Sequence, residues 1–509
     1  MLNTSELWGW LSPRLLAASV TVIVWLSGRL LAQAPGLREE PPVSGSLSNV
    51  TRVETWRFFA PPTPESDPDY TFFGNRSDLG LTARGARVDL GGGFSYVRIQ
   101  ELPTDAIGPG GLGTGAFYYA ASGLPYSYQV FLTGLTVSAH TSDRRWSFTA
   151  GRMPYTSGAE GDHAGTAGSR VAAVRRLAVD GRLLGAFDWS SYQRRFDGAR
   201  VHWRGDRRYA GGGLFLVTQG GYEESANLTM TRLLVGTAYA GRQHGANFTT
   251  GAAPAGESQA FGVLYRDRRR VDIRPDNAGI PVQAADITLG AVGGSHVASR
   301  RTRSGELDYA GWGAVQFGDW YGQTHRAYSV AAQGGHRWDA AGSPWLRAGA
   351  SYASGDGDGG DDRHGTFFPM LQETRSFAQS MVYAHANLRD LFLQLHLEPH
   401  ARARLRVDLH RLDLARAADR WYQGSGATAR DGVFFGYSSR PSTGLRGLGT
   451  VVEASAEVRL ARYWSINGYA GRMWGGPVVR GNFAGDRLFY WYVENVLRLM
   501  LPHLSDVQP

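Results

Sequence analysis

The sequence contains no cysteine and no lysine. Without cysteine there is no disulfide framework, no thiolate metal site and no cysteine nucleophile. Without lysine all 53 basic side chains are arginine, set against 45 acidic ones for a net charge of +8. Long apolar runs are missing too: beyond the N-terminus no stretch reaches the roughly 18 residues that a spanning helix needs. Together with a mean hydropathy of −0.28, this excludes helical membrane transport. Gly-x-Ser-x-Gly elbows, His-Glu-x-x-His helices and Walker loops are absent, so no enzymatic activity is expected. Basic helices, RNA-binding aromatic motifs and zinc spacings are absent as well, so nucleic acid is not the expected partner despite the charge.

What the chain does contain is glycine (68 residues), aromatics at 12%, and short apolar-polar alternations. That combination suits strands and turns. From Arg76 to Arg84 one face carries Arg76, Asp78, Gly80, Thr82 and Arg84, and the other Ser77, Leu79, Leu81 and Ala83. Arg200, His202 and Arg204 oppose Val201 and Trp203. Arg404, Arg406, Asp408 and His410 oppose Leu405, Val407 and Leu409, and Glu453, Ser455, Glu457 and Arg459 oppose Val452, Ala454, Ala456, Val458 and Leu460. A soluble sandwich also has one polar face. The length, however, accommodates some fifteen to twenty strands of ~10 residues, the span a tilted membrane strand requires. The expected class is all-β, a transmembrane antiparallel β-barrel. Asp180-Gly181, Asp197-Gly198 and Asp431-Gly432 read as turns. The aromatic clusters Tyr118-Tyr119, Trp320-Tyr321, Tyr463-Trp464 and Tyr490-Trp491-Tyr492 read as girdles at the lipid headgroups.

The N-terminus supplies an address. Arg14 precedes an apolar run from Leu15 to Leu26, and Ala32-Gln33-Ala34 has the small-x-small form of a cleavage site. The expected organisation is a signal peptide over 1–34, a flexible Pro/Gly/Ser-rich leader over 35–50, one barrel over 51–499 and a tail over 500–509, with the mature protein in the outer membrane of a Gram-negative-type cell.

Several segments resemble the alginate export family of outer-membrane proteins. They are Arg52-Val53-Glu54-Thr55-Trp56, Arg76 to Leu81, Gly151-Arg152, Arg182 to Trp189, and Phe196-Asp197-Gly198-Ala199-Arg200. Later ones are Tyr352 to Asp356 leading to Gly365-Thr366-Phe367, then Leu414-Ala415, Asp419-Arg420-Trp421-Tyr422, and Leu448-Gly449 through Glu453. The resemblance implies 18 strands, a monomer, and an arginine-rich constriction, partly obstructed by loops, that attracts polyuronate carboxylates.

Strand parity and the resemblance together nominate Arg76, Arg84, Arg98, Arg152, Arg200, Arg204, Arg404 and Arg406 as pore-lining. Arg98 is included because it faces away from Val97 and Ile99. Arg152 shares its parity with Trp146, Phe148 and Ala150, and reaches the lumen only if Gly151 sits at a bulge. A guanidinium keeps its charge and offers a planar fork to a carboxylate, and Asp78, Asp408 and Glu453 would keep such a lumen from trapping anions. Asp356, Asp358, Asp361 and Asp362 hold enough oxygens for calcium, but the spacing departs from the EF-hand and lacks its closing Glu, so a plain Gly-Asp turn is preferred and no cofactor is expected. The expected partners are outer-membrane lipid and lipopolysaccharide, an anionic polysaccharide or small anions, and periplasmic secretion-complex proteins. Export of an anionic exopolysaccharide is the first functional expectation. A passive anion-selective porin for small carboxylates or sugar acids is the alternative. A secreted β-rich binding protein or enzyme is a third, disfavoured by the alternation and the signal segment.

Overall fold

In a computed structural model the structure describes residues 43–63, 66–108, 119, 123–161, 165–221, 227–245, 254–269, 276, 286–373, 375, 377, 380, 382–423 and 438–501. The signal segment, Tyr118, the Asp431-Gly432 pair and the tail beyond Leu501 lie outside these residues. The strands run β1 Val43–Arg57, β2 Asp69–Arg84, β3 Val88–Gln100, β4 Tyr126–His140, β5 Trp146–Met153, β6 Phe196–Arg204 and β7 Arg208–Thr218. They continue as β8 Thr229–His244, β9 Ala255–Asp267, β10 Ile287–Arg301, β11 Gly305–Trp320, β12 Gln323–Trp338, β13 Trp345–Ala353 and β14 Arg363–His364. Last come β15 Leu388–His400, β16 Ala403–Leu414, β17 Trp421–Gln423, β18 Ser438–Arg440, β19 Gly447–Ala461, β20 Trp464–Gly475 and β21 Arg487–Leu501. Among the described residues two helices, α1 Gly165–Ala178 and α2 Pro477–Arg480, lie in the connections.

Eighteen strands close into one antiparallel barrel, and β1 pairs with β21 to complete the ring. The short β14 joins β12 in parallel, and β17 pairs with β18 apart from the barrel. Alternation explains the closure. Leu135, Val137, Phe148, Leu214, Val315, Leu391, Leu409 and Leu497 point outward and stay exposed, which in water would be costly and in lipid is the stable arrangement. Exposed aromatics flank that band: Phe73, Tyr126, Tyr128, Phe317 and Trp474 toward one rim, and Trp146, Tyr309, Trp338, Tyr463 and Trp464 toward the other.

The two rims differ. At one, tight turns join Arg84 to Val88, Arg204 to Arg208, His400 to Ala403 and Ala461 to Trp464. At the other, long connections run from Met153 to Phe196, Ala353 to Leu388 and Leu414 to Gly447, although Trp320 and Gln323 are joined closely there as well. Short turns mark the periplasmic rim and long loops the extracellular one. The long loops fold inward. Leu183, Leu184, Phe367, Phe368 and Leu371 are buried with Phe196, Phe215, Tyr265, Leu289 and Trp320 of the inner wall. Phe187, Tyr192, Val382 and Tyr383 are buried with Trp56, Val97, Ile99, Leu412 and Tyr490.

Four expectations change. Strand β1 begins at Val43, inside the expected leader, because Ser44, Ser46 and Ser48 lie on the same face as Arg52 and Glu54 and satisfy a polar interior despite their loop-like composition. Strand β21 likewise extends to Leu501. Asp197-Gly198 is not a turn but lies within β6. Trp320 and Tyr490 are buried inside rather than at a girdle, because the loops present an apolar surface to the wall at that height.

Candidate functional site

The site forms where the inward loop between β5 and β6 meets the wall. Arg52 of β1 and Arg76 of β2 stand diagonally across the β1–β2 pairing, since Arg52 opposes Gly74 and Val50 opposes Arg76. Both reach the loop backbone. Arg52 Nη2 donates to the carbonyl of Trp189 at 2.7 Å. Arg76 Nη1 donates to the carbonyl of Asp188 at 2.9 Å and also to that of Ser190. The same guanidiniums are braced from the wall side: Arg52 Nε donates to Glu494 at 2.7 Å and Arg76 Nε to Asp78 at 3.0 Å. Asp78 also accepts hydrogen bonds from Ser48 and Ser95 on the flanking strands.

Arg375, from the connection between β13 and β15, enters the same place. Its guanidinium lies 4.1 Å from the Trp189 ring centre and 5.0 Å from that of Tyr492, and it donates to the Tyr490 hydroxyl. A cavity of about 290 Å³ opens between Arg52, Arg76, Arg375 and Arg498 on one hand and Asp188, Trp189, Tyr492 and Glu494 on the other. Cationic forks beside aromatic faces and a few carboxylates can hold a carboxylate-bearing sugar and still release it.

The two large loops are locked together above this cavity. The N–H of Gly185 donates to the Leu371 carbonyl at 2.9 Å, and the N–H of Leu371 donates to the Leu183 carbonyl at 2.8 Å. Arg194 Nη1 donates to the Leu371 carbonyl at 2.9 Å. Burial lowers the Arg194 pKa to about 10, against the pull of nearby Glu373. The Glu373 side chain packs over Gly181 and Gly185, where a Cβ would stand 2.5 and 2.6 Å from the Glu373 Cβ. Only glycine leaves room there, and Gly181 also has a φ of +76°. Glu373 accepts the Phe187 N–H at 2.9 Å, but burial dominates and pushes its carboxyl up to about 7.

A second lock joins two stretches that carry the family resemblance. Asp419 accepts the Asp356 N–H at 2.9 Å, the Thr366 hydroxyl at 2.6 Å, the Tyr422 hydroxyl at 2.8 Å and the Arg420 N–H at 2.7 Å. Burial raises its pKa to about 6 in spite of these donors. The motifs around Asp356, Thr366 and Asp419 therefore act as loop anchors, remote from Arg52 and Arg76 in the chain.

Six of the eight nominated arginines lie on the lumen parity. Arg76 is in the cavity wall. Arg84, Arg204 and Arg404 stand at the turn ends of their strands, with Arg404 near Glu398 and Glu457 at 3.7 and 3.6 Å. Arg200 is exposed opposite Thr149 and Gly213, and Arg406 donates to Asp408 at 3.0 Å. Only Arg76 among them reaches the cavity. Arg98 and Arg152 face outward. Opposed residues share a face, and Arg98 opposes the exposed Tyr128 while Arg152 opposes the exposed Leu135. Val97 and Ile99 point inward because the interior at that height is apolar. Gly151 has a φ of +122°, but the β4–β5 and β5–β6 registers run through it unbroken, so it does not turn Arg152 inward. Arg152 is instead paired with Asp197 at 2.6 Å and bonded to Asn227 and Thr229.

Sequence reasoning missed Arg52, Arg375 and Arg498. A signal for the first was present. Arg52-x-Glu54 repeats the spacing of Arg76-x-Asp78 and Arg406-x-Asp408, pairs that meet along one inward face at 3.5, 3.0 and 3.0 Å. The calcium candidates do not converge: Asp358, Asp361 and Asp362 are exposed while Asp356 is buried. Among the described residues the metal-type group is Asp408, His410 and Glu453, with ligand atoms within 4.8 Å of one another. Most of those atoms are already engaged, although His410 Nε2 is buried without a hydrogen-bond partner. Arg406 binds Asp408, Asp390 binds His410 at 3.0 Å, and Tyr469 and the Ser380 N–H bind Glu453 at 3.0 Å each. The group reads as an ion network tying residue 380 to the wall.

An eighteen-stranded closed barrel with an outward aliphatic band, two aromatic rims and inward loops is an outer-membrane pore. Within that class, residues 261–482 match the family described as alginate export. The match includes the Tyr352, Asp419 and Leu448 segments, whereas the segments from Arg52 to Arg200 lie before it. Solved porins share the fold. OccAB2 of Acinetobacter baumannii aligns over 92% of this chain and 100% of its own, at 8% identity and a TM-score of 0.57. A BenF-like porin of Pseudomonas fluorescens Pf-5 aligns over 90% and 99%, at 9% identity and a TM-score of 0.55. Pseudomonas aeruginosa OccK2 (OpdF), solved in complex with glucuronate, aligns over 92% and 100%, at 11% identity and a TM-score of 0.52. None of the curated proteins matches.

Proposed function

We propose that the protein is a monomeric export pore for an anionic exopolysaccharide of the polyuronate type, in which uronate carboxylates pass the arginines around Trp189. The observation that carries this reading is the cavity where Arg52, Arg76 and Arg375 meet the rings of Trp189 and Tyr492. Carboxylates are drawn by the guanidiniums and sugar faces by the rings, while Glu494 and Asp188 weaken retention. The match to the alginate export family supports export as the direction.

A second reading is a passive porin for small sugar acids. A cavity of about 290 Å³ is near the lower limit of small-ligand sites, and one neighbour of the same fold was solved with glucuronate. Single-channel recording in a planar bilayer separates the two. Block by polyuronate oligomers at concentrations where uronate monomers and neutral oligosaccharides have no effect supports export. Equal block by monomers supports the porin, and conductance without anion preference overturns both.

A further inference from the structure

We propose that the outer wall at the loop rim is a docking surface for the phosphate-bearing glycolipid of the outer leaflet, lipopolysaccharide. The observation is a set of arginines on the lipid-facing parity, spread around the barrel near the extracellular ends of β3, β9, β12, β15, β16 and β20. Arg98 opposes exposed Tyr128, and Arg326 opposes exposed Phe317. Arg411 opposes Leu391, which is 59% exposed. Arg266, Arg389 and Arg472 lie two residues from the exposed Leu264, Leu391 and Trp474 on the same faces. All six are exposed.

Charge at this position needs an anionic neighbour. An arginine facing lipid is costly toward the midplane and nearly neutral at the interface, where headgroup phosphates accept its fork in bidentate fashion. The geometry favours shared phosphates: Arg389 and Arg411 are diagonal neighbours, because Arg411 opposes Leu391 two residues from Arg389. Aromatic faces steady the heads, with Arg389 5.6 Å from the Tyr352 ring and Arg472 5.2 Å from that of Trp474. Outward acids within the strands at this rim, among the described residues, are Asp69, Asp197, Asp319 and Asp413. Asp197 is held by Arg152, and Asp413 lies opposite Arg389 and 3.7 Å from Arg411, so one carboxylate is shared between those two arginines and the pair keeps a net positive charge. At the opposite rim the outward wall arginines, Arg208, Arg242 and Arg300, are confined to β7, β8 and β10. Outward wall arginines are thus spread over more strands at the loop rim, the side that meets the outer leaflet, while the exposed arginines of the other rim, such as Arg87, Arg207 and Arg402, lie mostly in its turns.

The inference is independent of what the pore transports. Its test uses the full mature barrel refolded in detergent, with retention of bisphosphorylated rough lipopolysaccharide, its dephosphorylated form and a zwitterionic phospholipid read by native mass spectrometry. Preferential retention of the phosphorylated glycolipid is expected, with Arg389→Gln/Arg411→Gln weakening it about tenfold or more and Arg300→Gln leaving it unchanged. If the double variant does not fold, salt dependence of retention by the unaltered protein decides instead, with loss at high salt expected. Equal retention of the dephosphorylated glycolipid, an unaffected folded double variant, or salt-independent retention overturns the proposal.

Discussion

Arg52 holds the main-chain oxygen of Trp189 at 2.7 Å while its Nε is held by Glu494 at 2.7 Å. The guanidinium is thus a bridge between the inner wall and the loop tip, with Arg76 doing the same for Asp188 and Ser190. A hydrogen bond from a charged donor contributes ~1.5–3 kcal/mol. Arg52→Ala with Arg76→Ala is expected to release the loop as well as remove charge. Bilayer recordings of the double variant should show larger or more frequent conductance steps than the parent, together with weaker anion selectivity. Lower selectivity at unchanged conductance would mean the loop is held by other contacts.

The Glu373 carboxyl predicts a pH dependence of the loop lock. Its folded pKa is raised to about 7 by burial, from an unfolded value of ~4.3. Its contribution is therefore complete below the unfolded value and is lost as pH rises through about 7. Hydrogen exchange across residues 181–187, corrected for intrinsic rates, should accelerate in the parent as pH rises from the unfolded value toward about 7 and level off above it. Glu373→Gln should flatten the profile, and a profile that survives the substitution would place the titration elsewhere.

Gly185→Ala tests the same contact sterically. The added Cβ would lie 2.6 Å from the Glu373 Cβ and 3.2 Å from its Cα, so the loops must part. A cost of ~1–3 kcal/mol is expected, visible as faster exchange or easier proteolysis of both loops with the barrel intact. Protection equal to that of the parent would show that the backbone can shift to absorb the methyl.

Outward and inward arginines should separate cleanly in selectivity measurements. Arg152→Gln, on the lipid-facing parity and paired with Asp197, is expected to leave the anion-to-cation permeability ratio unchanged. Arg200→Gln, exposed on the lumen parity, should lower it. The reverse result would mean that the wall is turned around at β5 and β6.

Those two residues also indicate how far the sequence can be read. In the turn-side half, alternation identified the inward side chains of Arg204, Arg406 and Glu457, because there polar means lumen and apolar means lipid. In the loop-side half the rule inverts. The loops fill the interior with Leu183, Phe187, Phe368 and Leu371, so Val97 and Ile99 point in and Arg98 points out. Nothing local to β3 reveals this, since the apolar partner is contributed by chain nearly ninety residues or more away. Arg375 was illegible for the same reason: it lies in no strand, and only the folding of its loop brings it to Trp189. Arg52 could have been found, since its i+2 acid repeats the pattern at Arg76 and Arg406.

The pairing of β1 with β21, from Gly45 opposite Leu501 to Arg57 opposite Phe489, has a consequence for biogenesis. The seam joins the first strand made to the last, so no partial chain has a finished wall. Until residue 501 is available, two strand edges with free N–H and C=O groups invite pairing with other molecules, and the outward Leu, Val and aromatic side chains have no lipid to meet. Zippering of the terminal strands is therefore the step that closes both edges, and burial of the outward side chains in lipid is what removes the remaining aggregation hazard.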